Sequence, residues 1–161
     1  MSKQFPNNAE MSNSAKGKEF EEIAYKYFLE MESIELQKEY KIEIGLEFQK
    51  GRKFDLGNGK ILVECKRNIW TESGNIPSAK ISVWNEAMYY FYLAPNGYKK
   101  ILFALRDYNQ KRNKTLVEYY VEKYNFLIPK DVIFYEYDPN SGCCKIYDYE
   151  KRKLLLTNKR S

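Results

Sequence analysis

Three side chains with useful chemistry fall close together in the chain: Asp55, Glu64 and Lys66. Glu64 stands nine residues after Asp55, and Lys66 stands two after Glu64. Carboxylate oxygens are the hard donors that Mg²⁺ takes, and because Mg²⁺ keeps several of its waters, one or two carboxylates suffice. Such an ion polarises a phosphate and lowers the pKa of a bound water. A neighbouring lysine can orient that water, accept its proton or stabilise the negative charge that builds. Asp55 and Glu64 are therefore the expected metal ligands, with the Cys65 carbonyl as a candidate third. Lys66 is the expected water-activating residue.

Composition narrows the chemistry further. The chain contains no histidine. That removes Ser-His-Asp triads, Cys-His pairs, histidine-containing zinc sites and any nuclease relying on a histidine base. The three cysteines, Cys65, Cys143 and Cys144, form no CxxC and no even-numbered framework. They read as reduced thiols, which points to a cytoplasmic setting. A net charge of +5 is compatible with a polyanionic partner but does not by itself identify one. No apolar run approaches the roughly 18 residues of a membrane span, so no membrane association is expected. At 161 residues the chain is expected to form one domain, 14–150, between a flexible leader 1–13 and a basic tail 151–161.

The elements that must position the trio can be read from periodicity. Phe20, Ile23, Ala24, Tyr27, Phe28 and Met31 recur at helical spacing, predicting a helix over 14–32 capped by Ser14. A strand is expected over 34–44. Asn58-Gly59 is a two-residue hairpin signal, predicting antiparallel strands over 52–57 and 60–67. That turn pairs Leu56 with Ile61 and Asp55 with Leu62. Asp55 then shares a face with Glu64, one diagonal step away, at roughly 7–8 Å between Cα atoms. Ile61, Val63, Cys65 and Phe54 should face the core. A helix capped by Ser78 follows to Leu93, then a strand at 101–105, a helix over 115–124 and strands at 132–137 and 144–149. The order α-β-β-β-α-β-α-β-β describes an α/β (α+β) domain with a mixed central sheet flanked by helices.

With Asp55, Glu64, Cys65 and Lys66 in view, the segment resembles the D…ExK signature of the PD-(D/E)XK nuclease superfamily. An apolar strand running into Glu-x-Lys is typical of it. So is a preceding helix with a glycine four residues before a glutamate, here Gly17 and Glu21. The α-β-β-β-α-β order over about 14–105 resembles the family's restriction-endonuclease-like core. The proline of the motif's name is Phe54 here. The resemblance implies Mg²⁺-dependent hydrolysis of DNA phosphodiester bonds, with Mn²⁺ able to substitute and no small-molecule cofactor. It also implies that Glu21, rather than the adjacent Glu22, is an accessory acid. A second Glu-x-Lys, at Glu39-Tyr40-Lys41, has no upstream aspartate and no preceding hairpin.

Other positions bear on the partner. Lys53, Arg67, Asn68, Trp70 and Lys80 are the candidate contacts to double-stranded DNA. Arg67, Asn68 and Trp70 open the loop after the catalytic strand, where recognition residues often sit; the alternative for Trp70 is packing against the core. Lys80 lies in a helix's first turn, where a cation is electrostatically misplaced unless it meets an anion. One site cuts one strand, so double-strand cleavage implies a homodimer or homotetramer. The expected activity is site-specific endonuclease action of homing or restriction type. The alternatives are a junction-resolving or repair nuclease on the same scaffold, or a non-catalytic nucleic-acid-binding protein.

Overall fold

The computed structural model of the protein describes residues 11–157. The expected leader, 1–13, lies outside the described residues except for its last three. Helix α1 (Asn13–Glu32) is capped by Ser12, whose hydroxyl accepts the Ala15 N–H at 3.1 Å. Ser14, the expected cap, is already helical, because Ser12 offers the same hydroxyl one step before the turn begins. The chain continues through β1 (Gln37–Ile44), β2 (Lys50–Gly57), β3 (Ile61–Lys66), α2 (Ser78–Leu93) and β4 (Lys99–Leu105). A short hairpin, β5 (Tyr108–Asn109) and β6 (Lys114–Thr115), leads into α3 (Leu116–Tyr124). Strands β7 (Val132–Asp138), β8 (Cys143–Asp148) and β9 (Lys153–Leu156) complete the order.

Seven strands form one mixed sheet in the order β1-β2-β3-β4-β7-β8-β9. β3, β4 and β7 run parallel in the centre, and the outer pairs are antiparallel. Buried side chains form two cores, one on each face. Phe20, Ala24, Tyr27 and Phe28 of α1 cover Leu56, Val63, Ile101 and Phe103. Trp84, Met88 and Phe91 of α2, with Leu116 and Tyr120 of α3, cover Leu62, Leu102 and Phe134 on the other. The central strands are thus apolar on both faces, as parallel strands between helical layers must be. Leu62, on the same face of β3 as Glu64, is fully buried under α2.

Three expectations are corrected here. Pro77, not Ser78, occupies the N-cap of α2, with no side-chain hydrogen bond. Thr115 caps α3 rather than beginning it, through a reciprocal capping box with Glu118. Residues 153–156, expected in the basic tail, form β9 against β8, because Leu154 and Leu155 gain apolar cover there while Lys153 stays out.

Candidate active site

The site is built where β2 and β3 part. The two strands are paired only at Leu56↔Val63 and Gly57↔Leu62. The turn is centred on Gly59 and Lys60, not Asn58-Gly59: the Asn58 N–H reaches the Ile61 carbonyl at 2.9 Å. The Asn58 side-chain oxygen accepts the Lys60 and Ile61 N–H groups, each at 2.8 Å. Neither Gly59 nor Lys60 has positive φ, so the asparagine acts as the first residue of an ordinary turn rather than inside a primed one. The register is therefore shifted by two from the expected one. A shift of two preserves the face of every side chain.

A second irregularity does change faces. Phe54 stacks on Phe91 of α2, yet Leu56 packs under α1. Opposite them, Tyr40 and Ile42 pack on the α2 side while Lys38 contacts Glu22 and the Tyr25 ring of α1. Both strands switch faces between these pairs, at Asp55 and Glu39, and Glu39 has left-handed φ of 52°. Phe54 accordingly lies on the α2 side with Leu62, not with Val63 as expected.

The switch puts the Asp55 carboxylate in the gap between the strands, within reach of both layers. Its Oδ2 accepts the Cys65 N–H at 2.8 Å, taking a bond that a regular ladder would give to backbone. It also lies against Glu64 of β3 and against Glu21 of α1. Burial and the Asp55 charge push Glu21 above the usual carboxylate range. The adjacent Glu22 pairs with Lys38 instead. An extended residue turns its N–H and C=O to the same side, so the Cys65 carbonyl faces this gap, while burial raises its thiol well above the ordinary value.

Glu64 is 3% exposed. Burial, reinforced by the Asp55 charge, pushes its carboxyl up to about 8. Its Oε1 accepts from Arg52 Nη2 at 3.2 Å, and its Oε2 lies 3.9 Å from Lys66 Nζ. Arg52 is clamped: its guanidinium lies 3.4 Å from the Tyr90 ring centroid, and its buried Nε has no hydrogen-bond partner. Sequence reading missed Arg52. In the expected register it shares the core face with Phe54 and Val63, away from Glu64, and only the switch of faces at Asp55 brings it beside Glu64.

The remaining expected contacts divide. Lys53 and Lys80 are exposed, and Arg67 is half-buried beside the N-terminal half of α1. Trp70 is buried, with its backbone N–H on Asp107 Oδ2 at 2.7 Å and its indole N–H on the Asp107 carbonyl at 2.9 Å. Asn68 accepts the Trp84 indole N–H at 2.7 Å. Trp70 and Asn68 therefore hold the loop to the scaffold, because indole nitrogens inside a core require partners that the loop supplies.

Among the described residues, no group of three or more His, Cys, Asp or Glu side chains is already arranged to hold a metal ion. The donors are engaged elsewhere: Asp55 on Cys65, Glu64 on Arg52, Glu21 on Lys18 at 3.3 Å. Their chemistry nevertheless fits a hard divalent cation. Asp55 repels both Glu21 and Glu64 at one gap, and a cation would relieve the cost of ionising the buried one. No protein-family model, curated protein or solved structure matches the chain. No helix among the described residues is long and apolar enough to cross a membrane.

Proposed function

We propose that this protein is a Mg²⁺-dependent DNA endonuclease on a restriction-endonuclease-like scaffold. The observation that carries the reading is the meeting of Glu21, Asp55 and Glu64 with Lys66 at the parted end of β2 and β3. The order α1-β1-β2-β3-α2-β4 supports the scaffold, with β3 and β4 parallel and the first three strands antiparallel.

Asp55, Glu64 and the Cys65 carbonyl would hold the cation, with Glu21 at its margin. Bound there, Mg²⁺ supplies Lewis-acid polarisation of the phosphate and a more acidic water. Lys66 holds and orients the attacking water from beside Glu64. Arg52, part-exposed and held over the Tyr90 ring, provides a fixed cation for the non-bridging phosphate oxygens. Arg67, Lys53 and Lys80 serve the strand's backbone rather than its sequence. Cleavage of both strands would bring two copies together, and a homing or restriction role is the form of site-specific cutting this reading favours.

Incubation of the purified protein with supercoiled plasmid and long duplex DNA, in Mg²⁺ or in EDTA, tests the reading. Cutting should require Mg²⁺ and fall on the order of a hundredfold or more in Lys66→Ala and Glu64→Gln. Discrete fragments would mark sequence reading. Equal cutting by both variants, or none on duplex, junction or single-stranded substrates, would defeat the proposal.

A further inference from the structure

A cleft of about 780 Å³ lies between the β1–β2 turn and the C-terminal half of α2. That volume falls within the roughly 300–1,000 Å³ of small-ligand sites. Its rim carries Leu46 and Phe48, which are 66% and 87% exposed. Such exposure is held by construction. Gly45 has φ of 149°, and a Cβ there would stand 1.9 Å from the Phe48 carbonyl oxygen. The Gln49 amide closes the turn on the Gly45 carbonyl at 3.0 Å. The turn thus holds an aromatic ring out in water, where apolar surface is unfavourable.

Tyr89, itself 53% exposed, lines the same cleft and stacks on Tyr92. Lys50, Lys53 and Arg52 line the same cleft against a single acid, Glu47. Arg52 joins the cleft to Glu64, so a chain seated in one reaches the other. Aromatic faces accept any base by stacking, and a run of cations tracks a phosphate backbone. A second copy of the chain fits less well. A two-fold contact would set the same cations against one another.

We propose that this cleft binds one unstacked nucleotide of a single-stranded or locally opened DNA, its base against Phe48 and Tyr89 and its phosphate on Lys50. The assignment deepens the nuclease reading and rests on it for the choice of DNA. An opened strand held here would lead its neighbouring phosphate past Arg52 towards Glu64.

Fluorescence anisotropy of a short fluorescein-labelled single-stranded oligodeoxynucleotide, in EDTA, measures the interaction. Phe48→Ala and Lys50→Gln should each weaken binding about tenfold. Both alter exposed positions, and unchanged thermal unfolding would verify their folds. Unchanged affinity in both variants, or no binding by the unaltered protein, overturns the proposal. So does a Phe48→Ala protein that loses self-association by sedimentation while keeping its affinity. Parallel plasmid assays separate the two claims. Cleft-dependent binding without Mg²⁺-dependent cutting would sink the nuclease reading and leave the cleft. Cutting with no effect of either variant on binding would sink the cleft alone.

Discussion

Asp55 Oδ2 lies 2.8 Å from the Cys65 backbone nitrogen, so one carboxylate both completes the sheet and faces the charged gap. These two duties can be separated. Asp55→Asn keeps an acceptor for the N–H and removes the charge; Asp55→Ala removes both. The asparagine variant should unfold at or above the unaltered protein's temperature in EDTA, since it relieves repulsion on Glu64 and Glu21, yet cut no DNA. The alanine variant should lose about 1–2 kcal/mol, the cost of a buried donor left unpaired. Thermal unfolding with the plasmid assay checks both, and an asparagine variant that cuts normally would remove Asp55 from the ligand set.

Glu64 sets a pH dependence. Its folded carboxyl titrates at about 8 against an ordinary value of 4.5. Between those values the folded state holds more protons than the unfolded chain, so raising pH favours unfolding. The stabilisation is fully present below 4.5 and is lost as pH rises through about 8. In EDTA the unfolding temperature should therefore fall across this window, and Glu64→Gln should flatten the fall. Mg²⁺ competes with the same proton, so its apparent affinity should rise over the same window. Calorimetry at about pH 5 and about pH 9 reads both effects. An identical slope in the glutamine variant would contradict the assignment.

Arg52 is the counter-charge that makes a buried Glu64 tolerable. Above about pH 8, where Glu64 is ionised, Arg52→Gln should cost about 2 kcal/mol, a part-exposed version of breaking a buried pair. In the double variant with Glu64→Gln the losses should fall well short of their sum. Strict additivity in a denaturant double-mutant cycle would show the two side chains to be independent.

Trp70 gives the opposite kind of expectation. Trp70→Phe should cost about 1 kcal/mol for the lost indole hydrogen bond and leave DNA affinity unchanged. A large affinity loss without destabilisation would return this residue to the binding surface.

Much of the architecture was legible because period and punctuation agreed. The helical spacing from Phe20 to Phe28, the apolar run Ile61-Leu62-Val63 and the Pro95–Gly97 break each left a local mark. The approach of Asp55 to Glu64 survived a wrong turn because the error was two residues, which alternation forgives. Other features left no local mark. The face switch at Glu39 depends on a left-handed residue that glutamate does not advertise. Arg52's clamp depends on Tyr90, thirty-eight positions away, and only folding brings the pair together. Trp70's role was undecided in sequence because its partner, Asp107, belongs to the loop after β4.

The kink at Glu39 has a bearing on how copies of this protein can meet. β1 is one border of the sheet, and its outward backbone groups are a template for a visiting strand. A left-handed residue halfway along breaks that template, and Lys38, Glu39, Lys41 and Glu43 crowd it with charge. At the far border, β9 is only four residues long. Among the described residues, neither margin offers a long, uninterrupted ribbon to copy. Strand-by-strand addition of further copies is thereby disfavoured at both margins.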